Sequence, residues 1–365
     1  MARTTTIKAV KVHFLSIPLE SPLITAAFPI PAIDTAMMQI TTEGGLQGAA
    51  WSFAFGRGRV ASLVRMMQDL GEIAIGHDAL DTEALWSKLS KAVGFIGQRG
   101  VAAAAMSAID TACWDIKGKA ANLPVYQVLG GFRHAVEAYA SQGLWLDRSP
   151  DALAREAASY VEQGFKAVKM RAGKPDEDED VARVRSVREA IGPDCKLMID
   201  VNQAWNLKQT LRMGRKLEEF DVFWLEEPMP YNQLQDYVRA TEGISMPLCT
   251  GESFYLKDEI LEFVNHRAAD YFMPDMMRMA GVTEWMKVAH ACEARHAMVT
   301  PHLFMEHSSH MAAACPNVVW QEYQPWWQPV MEEPIAMADG KIQLSDKPGF
   351  GFELSEKALA EFTVS

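Results

Sequence analysis

Long apolar runs are missing from this 365-residue chain. None reaches the roughly 20 consecutive apolar residues that a membrane-spanning helix requires. The opening segment MARTTTIKAVKVHF also lacks the apolar core of about 7 to 15 residues that marks a secretory signal peptide. We therefore expect a cytoplasmic protein with no membrane partner.

Paired cysteines and an excess of positive charge are missing too. The cysteines are odd in number, scattered and without CxxC spacing, which predicts neither a disulfide framework nor a zinc knuckle. They are Cys113, Cys195, Cys249, Cys292 and Cys315. The net charge of −12 argues against nonspecific nucleic-acid binding, which needs clustered Lys and Arg. A small anion remains a possible ligand for a local cationic pocket.

The composition that remains is that of a globular protein. Hydrophobic residues make up 49% and charged residues 22%, which is sufficient to form a packed core. Because single cores seldom exceed about 250 to 300 residues, the length favours two domains, or one barrel with attachments.

Short β-rich runs alternate with helix-like segments from about residue 130 onward. Segments 151–164 and 176–192 carry apolar residues at helical spacing and end at Gly, which is a helix C-cap signal. The β-rich runs are 136–141, 166–171, 196–202, 222–228, 247–253, 270–275, 297–302 and 318–323. Eight such units predict the α/β class with a parallel (β/α)8 barrel; an open doubly wound sheet is the alternative.

The ends of the chain follow a different pattern. Residues 1–128 combine strand-like and helix-like stretches and are predicted to form a separate α+β domain. The barrel is assigned to residues 129–324. The tail, 325–365, is too irregular to be a ninth barrel unit, and we expect it to pack back onto the N-terminal domain.

Three acids end three consecutive predicted strands at an equal spacing of 26 residues: Asp200, Glu226 and Glu252. In a closed barrel they would converge, and three adjacent carboxylates do not all stay ionised without a cation between them. Mg²⁺ is favoured because it prefers oxygen ligands and leaves positions open for water and substrate. The alternative is that each acid only caps a helix.

An imidazole and two cations complete the set of candidates. His302 and Asp275 end neighbouring strands, and a carboxylate beside an imidazole orients it and raises its basicity. Lys169 and Arg171 stand two apart on one strand and therefore point the same way, into the barrel mouth on the side opposite His302. The other polar strand ends are Ser141, Asn202 and Glu322.

Two further motifs carry less weight. The segment FGRGRVA, residues 55–61, fits the pattern GxGxxA, but no strand with a terminal acid follows about twenty residues later, as a dinucleotide site requires. His307 and His310 match no common zinc spacing and are interpreted as structural.

Several motifs together resemble the enolase superfamily, specifically its mandelate racemase subgroup. In chain order they are SAIDTACWDIKGKAANLPVYQVLGG, KMR, MIDVNQAW, WLEEP, TGESF, MPDMMRMAGVTE and TPHLFMEHSSH. The resemblance covers nearly the whole chain. It implies a modified TIM barrel, with a capping domain built from the N-terminal region and the C-terminal tail, and a homo-oligomer.

The resemblance also implies a role for each candidate residue. Asp200, Glu226 and Glu252 would be the Mg²⁺ ligands. His302, paired with Asp275, would be the base on one face of a small carboxylate substrate, and the Lys169/Arg171 position would supply the catalyst on the other. Glu322 would hydrogen-bond the substrate carboxylate, Ser141 would contact it, and Asn202 would lie beside the metal.

Arg171 departs from the racemase pattern, which has a Lys at that position. A guanidinium is effectively always protonated, so it is a poor base although a good electrostatic clamp. One-base chemistry driven by His302 then favours dehydration of an acid sugar, an aldonate or aldarate, to a 2-keto-3-deoxy acid. The apolar loop SPLITAAFPIPAI and Lys169 as a second base argue against this. Racemisation or epimerisation, cycloisomerisation and a non-catalytic carboxylate-binding barrel are the alternatives.

Overall fold

The N-terminal domain is a three-stranded antiparallel sheet covered by helices. The structure is a computed structural model and describes residues 4–24 and 29–364. The sheet has the order β1-β2-β3. Its strands are β1 (Ile7–Ile24), β2 (Pro29–Thr42) and β3 (Gln47–Phe53), and its helices are α1 (Arg57–Ala74), α2 (Thr82–Ala92), α3 (Val101–Ala121) and α4 (Val125–Val128).

Small residues allow α3 to lie close against this sheet. The first turns of α3, AAAAMSA, are almost entirely buried, and a Cβ added to Gly48 in β3 would come within 2.1 Å of the Ala112 carbonyl oxygen. Only glycine permits this approach. In the described part of the chain, no helix is both long enough and apolar enough to cross a membrane.

Eight parallel strands form the second domain within the described residues. They are β4 (Ala135–Ala140), β5 (Ala167–Arg171), β6 (Lys196–Asp200), β7 (Val222–Glu226), β8 (Leu248–Thr250), β9 (Tyr271–Phe272), β10 (Met298–Val299) and β11 (Gln321–Tyr323). The helices between them are α5 (Pro150–Glu162), α6 (Glu177–Ile191), α7 (Leu207–Leu217), α8 (Leu234–Gly243), α9 (Leu256–Asn265), α10 (Val282–Glu293) and α11 (Met305–Ala314). Each predicted β-rich run therefore contains a strand.

The strands close into a barrel, which confirms the barrel prediction over the open sheet. The first strand, β4, pairs in parallel with the last, β11. At the remaining seam, Val299 at the end of β10 forms a parallel bridge to Val318 just before β11. The barrel is modified because a 3-10 turn, Gln328–Val330, follows β11 in place of an eighth long helix.

The tail contacts both parts of the molecule. Its hairpin, β12 (Met337–Ala338) and β13 (Lys341–Gln343), pairs antiparallel with the first half of β4 in the barrel. Its final helix, α12 (Glu356–Phe362), lies against β1 of the N-terminal sheet, where Thr363 bridges Leu15. The tail thus contacts the barrel as well as the N-terminal domain that the sequence suggested.

An apolar floor fills the barrel interior. It consists of buried side chains contributed around the ring: Tyr139, Ala167, Met198, Trp224, Cys249, Met273 and Trp320. Bulky groups such as Trp224 leave no open channel, so the barrel is a packed core with one accessible end. All five cysteines are free and buried.

Candidate active site

A polar layer lies directly above the apolar floor. Because side chains in a strand alternate between faces, the residue two positions beyond each floor residue points into the same interior. Those positions hold Ser141, Lys169, Asp200, Glu226, Gly251, Asp275 and Glu322. Six of these seven residues were candidates from the sequence, and they occupy the carboxyl end of the strands, where barrel active sites form.

Gly251, just after β8, is the one residue of this layer without a side chain, and the next residue, Glu252, carries the carboxylate. A Cβ on Gly251 would lie 2.8 Å from the Met273 backbone nitrogen, so no larger residue fits there. Asp200 and Glu226 are direct partners in register, whereas Glu226 pairs with Cys249. Glu252 therefore lies higher in the mouth, and the equal spacing in sequence does not give equal depth.

Lys169 is the central cation of the layer. Its Nζ is 2.6 Å from Glu226 Oε1, 3.0 Å from Glu322 Oε1 and 3.9 Å from Asp200 Oδ2. Burial opposes its charge, but the attraction of these carboxylates is stronger and raises the pKa of Lys169 above its usual range. The amine is therefore held protonated in this arrangement.

Arg171 is held in place by hydrogen bonds and an aromatic contact. Its guanidinium donates to the carbonyl oxygens of Ser141 at 2.8 Å and Gly143 at 3.2 Å, and to Ser141 Oγ at 3.0 Å. It also stacks on the Trp145 ring at 4.2 Å, a cation–π contact. Its Nε remains 3.8 Å from Asp200 Oδ2. The side chain therefore acts as a fixed positive charge beside that acid.

His302 and Asp275 form the expected pair. Nδ1 of His302 lies 2.5 Å from Asp275 Oδ2, and the backbone N–H of Arg278 donates to the other oxygen, Oδ1, at 2.9 Å. His302 Nε2 faces Glu252 at 3.4 Å. Burial lowers the basicity of the ring, but Glu252 and Asp275 outweigh it and raise the His302 pKa to about 9.

Glu322 links the two sides of the mouth. One oxygen accepts from Ser141 Oγ at 2.6 Å and the other accepts from the backbone N–H of Leu303 at 3.0 Å. Although burial favours the neutral form, Lys169 and His302 hold the pKa of Glu322 well below its usual range. It is therefore a carboxylate with no proton to give in this state.

Two of the three candidate metal ligands, Asp200 and Glu226, are buried with too little positive charge beside them. Burial first, and their mutual repulsion with Glu252 in addition, raise the pKa values of Asp200 and Glu226 despite Lys169. Carboxylates behave this way where the local positive charge is insufficient. Asn202 donates from its backbone and side-chain nitrogens to Asp200, at 2.9 and 3.0 Å, and so orients it.

The carboxylates are not drawn together around a point. Among residues 4–24 and 29–364, no three His, Cys, Asp or Glu side chains are gathered closely enough to enclose an ion. Lys169 lies against Glu226 instead. An ion entering the site therefore competes with this ammonium for a Glu226 oxygen.

Several strained backbone positions lie around the same mouth. Non-glycine residues with positive φ follow two of the acid-bearing strands and the histidine: Asn202 at 46°, Gln203 at 65°, Glu227 at 36°, Leu303 at 50° and Phe304 at 49°. Each such residue costs about 1 to 3 kcal/mol and persists only where its surroundings enforce it. At each of these positions the backbone turns sharply away from the barrel axis, so the polar residue before the turn stays directed at the centre of the mouth.

Sequence reasoning missed several supporting residues. Trp145 covers Arg171, and its position four residues after Ser141 in SQGLWL was the available signal. Glu227, the second acid of WLEEP, is buried and accepts from Gln203 Nε2 at 2.6 Å and Ser253 Oγ at 3.0 Å. Burial raises its pKa to about 8. Arg278 donates to the backbone oxygen of Glu252.

The structural interpretation of the remaining motifs agrees with the contacts. His307 lies 3.3 Å from the Ala49 carbonyl oxygen, and His310 accepts from the backbone N–H of Tyr126. Burial lowers their pKa values to about 3 and about 4. The segment 55–61 leads into α1 of the N-terminal domain and is followed by further helix.

These features define an α/β-barrel enzyme. The parallel barrel is closed and covered by a second domain, and its open end carries acids, a histidine–aspartate pair and a lysine. The chain belongs to the mandelate racemase/muconate lactonizing enzyme family of the enolase superfamily. The family's N-terminal domain model matches residues 7–130, and the enolase C-terminal domain-like model matches residues 152–358.

Relatives and solved structures agree with this assignment over nearly the whole chain. The L-talarate/galactarate dehydratase of Salmonella typhimurium is 31% identical over 361 residues, covering 96% of this chain and 90% of its own. An L-talarate dehydratase structure from a Polaromonas species, with Mg and L-glucarate, has a TM-score of 0.91 at 32% identity and 99% and 98% coverage. An enolase from Bradyrhizobium, with magnesium and mandelic acid, has a TM-score of 0.92 at 29% identity and full coverage of both chains.

The names of the relatives span several reactions. Besides dehydratases they include a cycloisomerase at 31% identity, an epimerase at 30% and a racemase at 26%. Membership of the family therefore establishes an enolase-superfamily enzyme, and the choice among these reactions rests on the residues of this chain.

Proposed function

We propose that this protein is a Mg²⁺-dependent dehydratase of an acid sugar. His302 removes the proton α to the carboxylate, the β-hydroxyl leaves as water with the proton that His302 then returns, and the enol product tautomerises to a 2-keto-3-deoxy acid. The observation that carries the proposal is the asymmetry of the mouth. His302 is paired with Asp275 at 2.5 Å on one side, whereas Arg171 on the other is bound by Ser141 and stacked on Trp145.

Asp200, Glu226 and Glu252 would hold the magnesium ion. The raised pKa values of Asp200 and Glu226 are those of buried carboxylates that need more positive charge, and oxygen donors are the ligands that Mg²⁺ prefers. When bound, the ion supplies positive charge to the substrate carboxylate, where negative charge accumulates as the proton departs.

The residues of the chain would divide the remaining work. The proton passes from the α-carbon to Nε2 of His302, while Asp275 holds the opposite nitrogen and stabilises the imidazolium. Lys169 and Arg171 supply fixed positive charge to the enediolate. Glu322 and Ser141, joined at 2.6 Å, would contact the substrate carboxylate, and Asn202 would orient Asp200.

Lys169 supports racemisation or epimerisation as the second candidate, because an amine on the face opposite His302 is the group that a second base requires. Its three carboxylate neighbours raise its pKa above the usual range of a lysine, and so well above the value of about 9 for His302. This favours the role of a fixed cation over that of a base.

A matched experiment separates the two reactions. The holoenzyme with Mg²⁺ is incubated in D₂O with aldonic and aldaric acids as pairs of C2 epimers, and both α-proton exchange and 2-keto acid are measured. A one-base dehydratase exchanges the α-proton of one epimer and forms keto acid, and the His302→Asn variant loses both activities. A racemase instead exchanges the α-proton of both epimers and forms no keto acid. In that case His302→Asn abolishes exchange with one epimer, and Lys169→Met abolishes exchange with the other.

We further propose a cytoplasmic homo-oligomer that acts on small molecules and has no nucleic-acid or membrane partner. Five free, buried cysteines suit a reducing compartment, and a net charge of −12 disfavours polyanionic surfaces. Equilibrium sedimentation tests the oligomer, and fractionation of cells tests the location.

A further inference from the structure

We propose that the preferred substrate has a single carboxylate and an apolar, uncharged end remote from it, rather than a second carboxylate. This inference rests on the proposed function and specifies its substrate class. It concerns the cavity of about 420 Å³ at the barrel mouth, which is lined both by polar and by apolar residues.

An apolar wall lies on the covering side of the cavity. The polar lining includes the strand-end residues described above. Facing them are Leu23, Ile30, Phe53, Phe55, Leu146 and Trp326. A substrate whose carboxylate lies at the polar end must place its far end against this wall.

The wall is built before any ligand arrives. The rings of Phe53 and Phe55 meet edge to face with centroids 5.5 Å apart, and both contact Trp326, at 5.6 and 6.4 Å. Phe53 is also packed on Trp327 at 5.5 Å. Aromatic side chains held by one another in this way form a rigid apolar corner.

Cations that line the described part of the cavity are already engaged. Lys169 is paired with Glu226 and Glu322, and Arg171 with Ser141. Arg278 donates to the Glu252 backbone oxygen. Arg59 lies beside the wall but donates to the Phe55 carbonyl oxygen at 2.6 Å and does not line the cavity.

Gln324 also lines the cavity, but its amide is neutral. A second carboxylate at the far end would therefore lose water without gaining a free cation as its partner. Such desolvation strongly disfavours a charged group, and hydroxyls at the same point are disfavoured to a lesser extent. An alkyl or aryl end instead gains apolar contact. The two kinds of apolar end share this chemistry and differ only in shape.

A matched substrate series tests the inference on the wild-type holoenzyme with Mg²⁺. It consists of a hexonate, its 6-deoxy analogue and its hexarate, identical in configuration from C2 to C5, with 2,3-dihydroxy-3-phenylpropanoate as an aryl arm. We expect kcat/KM for α-proton exchange to be highest for the 6-deoxy or the aryl acid and at least about tenfold lower for the hexarate. A hexarate that is equal or better overturns this inference alone.

Failure of the proposed function has a different signature, because no acid in the series or in the wider library would then exchange its α-proton. Both inferences fall in that case.

A charge placed in the wall provides a second test. Phe55→Arg should raise the hexarate-to-hexonate ratio of kcat/KM by about tenfold or more. Phe95→Arg is the matched control, since Phe95 is fully exposed and lies outside the cavity, and it should leave the ratio unchanged. Both variants are first checked for native thermal unfolding. An unchanged ratio in folded Phe55→Arg means that this wall does not contact the far end of the substrate, and the inference is wrong.

Discussion

Replacing Asp275 by Asn tests the role of the histidine–aspartate pair. The two side chains are nearly isosteric, and Asn can still accept the backbone N–H that Arg278 now donates to Asp275 at 2.9 Å. The amide differs in that its NH₂ group donates. It would donate to His302 Nδ1, which forces the ring proton onto Nε2 and removes the lone pair that faces the mouth.

The size of the effect follows from this change of tautomer. Asp275 is 1% exposed and its oxygen lies 2.5 Å from Nδ1, so bulk water cannot easily replace it. Positioned general-base catalysis contributes about 10² to 10⁴ in rate, and we expect most of it to be lost from kcat. KM should change little, because Asp275 does not belong to the groups proposed to hold the carboxylate.

The assay is α-proton exchange in D₂O with any acid that the wild type exchanges. Asp270→Asn is the matched control, because Asp270 precedes the same strand at its opposite end, where it accepts the Leu248 N–H at 2.8 Å. The control should retain full activity. A loss of less than about fivefold in folded Asp275→Asn would refute the assignment of His302 as the oriented base.

Two further predictions concern stability. Burial raises the pKa of Glu306 from 4.5 to about 8, and both its carboxylate oxygens are buried without a hydrogen-bond partner in the described structure. Its stabilising contribution is therefore complete below pH 4.5 and is lost as pH rises toward 8. The free energy of unfolding of Glu306→Gln, measured with urea, should exceed that of the wild type by a margin that grows with pH, by up to about 1.4 kcal/mol per pH unit. The matched variant Glu333→Gln, at an exposed position, should show no such trend. A margin for Glu306→Gln that does not change with pH would contradict this. Mg²⁺ at about 100 times its Kd should stabilise the protein by roughly 2.7 kcal/mol against chelator, and a shift of Tm that persists in Glu252→Gln would exclude that ligand.

Much of the fold follows from local patterns in the sequence. Each β-rich run ends in a polar residue, and alternation alone assigns Lys169 and Arg171 to one face. The structure agrees, with both side chains directed at the mouth and Lys169 bonded to Glu226. Parallel neighbours in a barrel are also neighbours in sequence, so the meeting of His302 and Asp275 follows once the barrel is assumed.

Other features depend on contacts between distant segments and leave no local signal. The depth of Glu252 depends on how closely β8 approaches β9, which permits only Gly251 at the polar layer. The contact of Trp145 with Arg171 depends on the position of the guanidinium group in three dimensions, which the periodicity of the sequence does not predict. The pairing of the tail hairpin with β4 is a contact over about two hundred residues.

The stacked pair of Phe304 and Trp327 has a consequence for protein engineering. Phe304, two residues after His302, lies flat on Trp327 of the tail at 4.8 Å, and Trp327 Nε1 donates to Thr35 Oγ1 in β2 at 2.9 Å. The position of the base is thus coupled through the tail to the sheet that covers it. A chimera that imports a new covering domain to alter specificity must bring the matching tail with it, or the exchange will misplace the histidine.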